Sequence, residues 1–321
     1  MTRWSSNRML LLINVILPVF LVAGVAALAQ PRLKLDTQVL SRAAFYLFSP
    51  AMVLDALINS DVSGAEFGQI AAALTLTVLA LWLVGEIAAR LLHLDGSIRN
   101  AFLVAIVLMN SGNYGMPVNF FAFGEPGLVR ASLCVTVNAV ITSTLGVYLA
   151  ARGHTAVGRA ALNRTRWCRA SLCRVLSVPA IYAALLGLLV NLAGWSLPET
   201  VVKAVHLLGQ GLVPVSLLIL GIQVMQTFGK QHSLSHTPAL LVVALGRLVL
   251  APLFAGMAGN LVGLNGVARD VITLEMATPA AVMSLVLAQE FGSDTSFAAL
   301  CILVTTFASL LTVTLWLNWL M

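Results

Sequence analysis

The sequence MNSGNYGMPVNFFAFGEPG, residues 109–127, decides the fold, because it places polar and helix-breaking residues inside an otherwise apolar segment. Proline cannot donate a backbone hydrogen bond and clashes with the preceding turn, so Pro117 predicts a break, with Gly112 and Gly115 relaxing the backbone just upstream. At membrane depth, such a break is tolerated only where protein or a watery cavity satisfies the freed N–H and C=O groups. We therefore interpret the stretch as a membrane helix that is broken at a binding site.

The composition predicts an integral membrane protein. Of the 321 residues, 60% are hydrophobic and 9% are charged, whereas soluble proteins have about 25% charged residues. The net charge of +6 does not indicate a nucleic-acid partner, because in a membrane protein the positions of the basic residues matter more than their sum. The phosphate-binding motif GxxxxGKS/T and the motifs HExxH and GxSxG are absent from the sequence. We therefore expect neither an enzyme, nor a metal site, nor a cofactor.

Ten apolar runs are long enough to cross about 30 Å of hydrocarbon, which predicts an all-α polytopic fold. The predicted spans 1 to 10 are residues 9–29, 39–59, 67–92, 99–123, 128–151, 175–193, 199–227, 237–262, 267–290 and 296–320. Span 1 follows Arg3 and Arg8 and also resembles a secretory signal. Its length, with Asn14 and Pro18 inside it, favours a retained helix.

The distribution of Lys and Arg predicts the orientation. Twelve lie on one side of the spans: Arg32, Lys34, Arg42, Arg90, Arg99, Arg152, Arg159, Arg164, Arg166, Arg169, Arg174 and Lys230. Five lie on the other side: Arg3, Arg8, Arg130, Lys203 and Arg269. The side richer in Lys and Arg is expected to face the cytoplasm. Both termini are then expected on the outer face of the cytoplasmic membrane. Residues 152–174 then form a basic cytoplasmic loop between a first half, 1–151, and a second half, 175–321.

The two halves carry matching breaks. Pro50 in span 2 matches Pro214 in span 7, and Pro117 in span 4 matches Pro279 in span 9. Because each half has five spans, an odd number, the second half must be inverted relative to the first. Paired breaks in inverted halves indicate a transporter site near the midplane of the membrane. Spans 4 and 9 are therefore expected to be broken and to cross there.

Polar side chains cluster at both predicted breaks, and we assign substrate binding to Asn110, Ser111, Asn113, Tyr114 and Thr278. The end of a half-helix presents free N–H groups and the positive end of its dipole, which attract a carboxylate, and Asn amides add neutral donors. The shaping of the crossing is assigned to Gly112, Gly115, Pro117 and Pro279. The alternative is that these amides and hydroxyls only satisfy backbone groups and bond to neighbouring helices.

Ionisable residues inside spans are costly to bury and are functional candidates by default. Glu275 lies inside span 9, and Arg247 in span 8 and Glu86 in span 3 are its available partners or competitors. Two interpretations of these residues stay open. They either couple transport to protons or cations, or they form a structural ion pair. In a sodium-coupled carrier, Glu275 and Gln289 would be the cation ligands.

At both breaks, the sequence resembles the auxin efflux carrier family. Residues 110–117, NSGNYGMP, resemble its first crossing segment, in which an Asn stands seven positions before the proline, and Asn110 occupies that place. Residues 278–292, TPAAVMSLVLAQEFG, resemble the second crossing segment. Leu220-Gly221 and Gly246-Arg247 are similar to further family landmarks, so the resemblance covers nearly the whole chain.

The resemblance implies both an architecture and a function. The family includes plant auxin exporters and bacterial carriers proposed to move malonate and related acids, and the short central loop makes the bacterial branch the closer likeness. The implied architecture is a scaffold of spans 1, 2, 6 and 7 beside a transport domain of spans 3–5 and 8–10, usually in a homodimer. The transport domain moves past the scaffold to alternate access, as in an elevator.

These observations together predict a secondary transporter of small mono- or dicarboxylates in the lipid bilayer, with H⁺ or Na⁺ as the candidate coupling ion. Two alternatives remain. The first is a sodium-coupled carrier that resembles bile acid symporters, which share the inverted five-helix halves. The second is an intramembrane enzyme or a ligand sensor that uses the same cavity.

Overall fold

The computed structural model describes residues 12–58, 62–152, 173, 176–228 and 236–321. Within these ranges the regular secondary structure is helical, without strands, and one isolated β-type contact joins Met109 and Ala280. In the described part of the chain, seven helices are long and apolar enough to cross a membrane, and two shorter helices are also apolar. The protein is therefore an all-helical, multi-pass membrane protein.

We number the helices α1 to α11 along the chain. The long helices are α1 Asn14–Leu33, α2 Thr37–Ile58, α3 Gly64–Leu91, α5 Ser111–Ala151, α7 Glu199–Thr227, α8 Thr237–Leu261 and α11 Thr295–Leu320. The shorter helices are α4 Gly96–Val107, α6 Pro179–Leu192, α9 Gly266–Met276 and α10 Met283–Phe291. The basic loop predicted at 152–174 lies outside the described residues, apart from Arg152 and Cys173.

Local sequence determines where several helices begin. Ser63 precedes α3, and its Oγ accepts the backbone N–H of Glu66 at 3.1 Å. Asp294 precedes α11, and its Oδ1 accepts the backbone N–H of Phe297 at 2.8 Å. Both side chains satisfy a donor that the first turn of a helix leaves free.

The helices pack in two groups. In the first group, α1 packs along α7, and α2 packs against α6 and α7. In the second group, α9 packs against α5 and α8, while α8 packs against α3, and α4 packs against α3 and α11. Leu28, Leu83 and Leu311 are among many large apolar side chains exposed on the outside, as expected of a surface that faces lipid.

The structure divides both of the spans that were predicted to be broken. One break separates α4 from α5 at residues 108–110, and the other separates α9 from α10 at residues 277–282. Pro279 lies inside the second break, but Pro117 lies in the early turns of α5, downstream of the first. A proline is tolerated near the start of a helix because the N–H that it lacks would have no partner there. Pro117 therefore does not mark the position of the break itself.

Helix α5 joins the second part of span 4 to span 5 without an intervening loop. It bends at Gly124, whose φ of 66° and ψ of −152° are not helical. Glycine adopts this conformation because it has no Cβ, and Pro126 follows at the same bend. The predicted boundary between spans 4 and 5 thus falls at this interruption, where two helical segments of α5 meet.

Candidate functional site

The two breaks lie against each other. The N–H of Asn110 donates to the carbonyl of Pro279 at 3.0 Å, and the N–H of Ala281 donates to the carbonyl of Leu108 at 3.0 Å. The two segments run antiparallel at this point. Backbone groups freed by one break are thus satisfied by the other, as the membrane interior requires.

Side chains of neighbouring helices satisfy further backbone groups of the paired breaks. The Nδ2 of Asn138, in α5, donates to the carbonyl of Met109 at 3.3 Å. The N–H of Ala280 donates to the Oγ1 of Thr305, in α11, at 3.1 Å. The paired breaks are therefore held between α5 and α11.

The carboxylate of Glu275, near the end of α9, lies against the start of α5. Glu275 is completely buried, and its two oxygens accept hydrogen bonds from Ser111 Oγ at 2.5 Å and from Asn119 Nδ2 at 3.1 Å. A Cβ at Gly115 would lie 2.7 Å from the Cδ of Glu275, so only glycine leaves room for the carboxylate. The positive end of the α5 dipole favours an ionised carboxylate at this position.

Arg247 lies at the same end of α9 as Glu275, the C-terminal end. It belongs to a π-helical turn of α8, Gly246–Leu250, and is completely buried. Its Nη2 donates to the carbonyls of Met276 and Thr278, both at 3.1 Å, where the negative end of the α9 dipole favours a cation. Arg247 and Glu275 interact electrostatically, but in the described part of the chain they form no direct ion pair.

Several buried polar atoms near the breaks have no partner among the described residues. They are Nδ2 of Asn110, Nε and Nη1 of Arg247, and Oδ1 of Asn119. The three nitrogens are hydrogen-bond donors. Because buried donors are nearly always paired with protein or water, a group of unpaired donors indicates a place for water or for a ligand with acceptor atoms.

The other predicted substrate-binding residues also lie near the breaks, but most of them have protein partners. Thr278 is completely buried, and its Oγ1 donates to a backbone carbonyl one turn earlier in α9, at 2.6 Å. The hydroxyl of Tyr114, also buried, accepts a hydrogen bond from Ser309 Oγ in α11 at 2.9 Å. Asn113 is only half-buried, and its Nδ2 donates to Oε1 of Gln223 in α7 at 3.4 Å.

The two glycines assigned to the shaping of the crossing differ in how much space surrounds them. Gly115 must be small because of the carboxylate beside it, whereas a Cβ at Gly112 would meet open space. Gly112 is half-buried and lies in the π-helical turn Ser111–Gly115 that opens α5. Its predicted role in relaxing the backbone stays a prediction.

Glu86 lies apart from the breaks and has partners of its own. In α3, its carboxylate forms ion pairs with Arg99, at 2.5 Å, and with Arg152. It also accepts a hydrogen bond from Trp82 Nε1 at 3.1 Å. Glu86 is therefore part of a structural ion cluster and is not the partner of the buried acid in α9.

Gln289 also lies apart from the buried acid. It is exposed in the last turn of α10, and its side chain has no hydrogen bond to Glu275 among the described residues. The structure therefore does not bring together the two residues that a sodium site was predicted to combine.

Sequence reasoning missed three residues that hold the site, Asn119, Asn138 and Thr305. Asn119 follows Ser111 by eight positions and Gly115 by four, so all three share one helix face. That spacing could have identified Asn119. Asn138 and Thr305 are isolated polar residues in apolar spans, and no local pattern links them to a break about 25 or more residues away.

Comparison with known proteins supports a transporter. Residues 11–317 match the family described as membrane transport protein. An uncharacterized transporter of Methanothermobacter thermautotrophicus is 29% identical over 289 residues, which are 88% of this chain and 88% of the relative. An uncharacterized transporter of Methanocaldococcus jannaschii is 23% identical over 289 residues, which are 87% of this chain and 88% of the relative. The chain therefore belongs to the membrane transport protein family, the family of the auxin efflux carriers that its broken spans resemble.

Proposed function

We propose that this protein is a secondary transporter of small organic anions, mono- or dicarboxylates, in the cytoplasmic membrane. The observation that carries the proposal is the set of unpaired buried donors at the paired breaks, on Asn110 and Arg247. A carboxylate has only acceptor atoms and forms its strongest hydrogen bonds with charged donors such as guanidinium. Membership of the family supports transport, and the donor set supports the class of substrate.

The packing of the helices supports an elevator mechanism. In this proposal α1, α2, α6 and α7 form the scaffold, and the remaining helices form the transport domain. The two domains are built from ten spans in two inverted halves, 1–151 and 175–321, with the loop 152–174 in the cytoplasm and both termini outside. The broken spans cross within the transport domain, which moves past the scaffold in each protomer of a homodimer.

A sodium-coupled mechanism is less well supported by the geometry. Hard cations are bound by converging oxygen ligands, whereas the carboxylate of Glu275 is surrounded by the donors of Ser111 and Asn119. Gln289, the second ligand of that mechanism, is exposed. Replacing sodium by choline in a flux assay separates the two mechanisms, and we expect carboxylate flux to persist in choline.

Asn110→Ala tests the proposed site. Because the side-chain nitrogen of Asn110 has no partner among the described residues, its removal breaks no hydrogen bond of that atom and should leave insertion and folding intact. Uptake of radiolabelled malonate and of a panel of related acids into proteoliposomes is expected to fall to background. Size-exclusion chromatography in detergent checks the fold.

Asn191→Ala is the control, since it removes an asparagine at the end of an apolar helix, α6, away from the breaks. Asn191 donates to the backbone carbonyl of Leu57 at 3.0 Å, within the first group of helices, so the variant should lose some stability and keep transport. Unchanged transport by Asn110→Ala would remove that residue from the site. Conversion of the acids by purified protein in detergent would favour an intramembrane enzyme instead.

A further inference from the structure

Glu275 lies at the start of α5, where a transported carboxylate is also expected to bind, and it accepts a hydrogen bond from Ser111, one of the predicted substrate-binding residues. The hydroxyl of Ser111 and the amide of Asn119 both donate to it, at 2.5 and 3.1 Å, and its carboxyl group lies against Gly115. The protein thus places one of its own carboxylates at the start of α5. A substrate carboxylate that approached the same helix end would meet a like charge, which is unfavourable away from water.

The net charge of the site depends on the protonation of Glu275. Glu275 and Arg247 are both completely buried, so water does not screen their charges. With Glu275 ionised, the two charges cancel and the site has no net attraction for an anion. With Glu275 neutral, Arg247 leaves one positive charge, and its Nε and Nη1 are still unpaired. Anion binding is therefore favoured when Glu275 carries a proton.

The neutral form of Glu275 keeps its partners. A protonated carboxyl group donates through its O–H, and a serine hydroxyl can rotate from donor to acceptor. Ser111 can therefore accept from the protonated acid, while Asn119 continues to donate to the carbonyl oxygen. Both protonation states are satisfied by the same two side chains, without any rearrangement of α5 or α9.

Among the described residues, no other side chain around Glu275 is expected to change its charge in this way. In the described part of the chain, the titratable groups nearest to Glu275 on the neighbouring helices are Arg247 from α8 and, from α5, Cys134 and the adjacent turn residue Tyr114. A thiol and a phenol are neutral at physiological pH and an arginine remains charged. Among the described residues, α3 and α11 contribute no charged side chain that interacts with Glu275.

We propose that the negative charge of Glu275 opposes the binding of the transported carboxylate beside Asn110 and Arg247, so that each anion binds together with one proton that neutralises Glu275. This inference rests on the proposed function and adds to it the coupling ion and the residue that carries it. The proton is taken up by the carboxylate of Glu275 when the anion binds and is released when the anion leaves.

The pH dependence of malonate binding tests this inference. Purified protein in nanodiscs is titrated with radiolabelled malonate from neutral to alkaline pH, where malonate is fully ionised. The affinity of the wild type is expected to rise by up to about tenfold per unit fall in pH, the limit for one proton taken up with each anion. Glu275→Gln, which replaces the acid by a neutral amide of the same shape, is expected to bind malonate independently of pH.

Two control variants and a second readout complete the test. Glu275→Asp keeps a titratable carboxyl group and should keep a pH dependence. Glu86→Gln removes a buried carboxylate outside the site and should leave the wild-type pH dependence unchanged. Malonate uptake by wild-type proteoliposomes should also acidify the vesicle lumen, which a trapped pH dye reports without any variant.

The outcomes separate the inference from the function on which it rests. A wild-type affinity that does not change with pH, uptake without acidification of the lumen, or an unchanged pH dependence in Glu275→Gln would overturn the inference. If the wild type binds neither malonate nor any other acid of the panel at any pH, the proposed function itself is wrong.

Discussion

Glu86 and Glu275 are both acidic residues buried in the membrane-spanning helices, and their surroundings differ. Glu86 contacts Arg99 and Arg152 directly, and the side chains of these arginines remain 33% and 34% exposed. Glu275 accepts hydrogen bonds from neutral side chains only. Its counter-charge, Arg247, is completely buried and keeps two unpaired nitrogens.

The difference lies in whether the direct partners of the buried acid are complete. We call the cluster around Glu86 closed, because its partners are in place, and the cluster around Glu275 open, because they are not. Around Glu86, the direct partners of the carboxylate are in place and water can reach both arginines. The cluster can therefore connect helices, but it has few unpaired polar groups to bind a ligand. Around Glu275, the two buried charges do not form a direct ion pair and several donors are left without partners among the described residues, which is unfavourable unless another group completes them. Polar groups of the second kind are candidates for a functional site in a membrane protein.

Among the variants that test this comparison, the single variant without Arg247 should lose the most stability. Arg247→Met leaves Glu275 as an uncompensated buried charge and frees two carbonyls at the end of α9, so we expect a loss of about 3–5 kcal/mol in the free energy of unfolding. The loss should shrink as the pH falls, because a protonated Glu275 no longer needs a counter-charge. Thermal unfolding in detergent, followed by tryptophan fluorescence at several pH values, measures both effects.

The double variant Arg247→Met/Glu275→Gln is the control for this prediction. It removes both charges, and it should recover a large part of the lost stability at neutral pH. If the double variant were no more stable than Arg247→Met, the two charges would not be coupled, and the contrast with the Glu86 cluster would lose its basis.

Removing the acid of the closed cluster should lower the free energy of unfolding by a smaller amount. Glu86→Gln removes the charge shared by Arg99 and Arg152, and we expect the free energy of unfolding to fall by about 2 kcal/mol, the contribution of a hydrogen bond to a charged group. Both arginines are partly exposed and can be hydrated, so the loss should stay well below that of Arg247→Met. An equal or larger loss, measured by the same unfolding experiment, would contradict the comparison.

The smallest expected effect concerns two adjacent threonines, one paired and one unpaired. Thr305→Val removes the acceptor of the buried N–H of Ala280 at the break, and should lower the free energy of unfolding by about 1 kcal/mol. Thr306→Val is the matched control, because the Oγ1 of Thr306 is buried without a partner among the described residues. This control should be neutral or stabilising, and a larger loss for it than for Thr305→Val would show that Thr305 does not support the break.

Much of the site could be predicted because its signals are local in sequence. Amides, hydroxyls, glycine and proline inside an apolar run identified the two broken spans, and the repeated pattern predicted that they would be related. The family resemblance pointed to Asn110, which the structure places beside Pro279. An acid inside span 9 identified Glu275 by the cost of burying a charge.

The partners of these residues could not be predicted, because they are distant in sequence. Ser111 and Glu275 are 164 positions apart, and Asn119 and Glu275 are 156 positions apart. Glu86 and Glu275 look alike in sequence, and only their three-dimensional neighbours distinguish them. The position of the first break was also uncertain in sequence, since a proline is compatible both with a break and with the early turns of a helix.

The two breaks are paired through backbone atoms, and this affects which substitutions the chain can accept. The donors are the N–H groups of residues 110 and 281, and the acceptors are the carbonyls of residues 279 and 108. Every amino acid has such a carbonyl and every one except proline has such an N–H. The backbone contact between the half-helices can therefore persist when the side chains at these positions change, as long as proline does not replace residue 110 or residue 281.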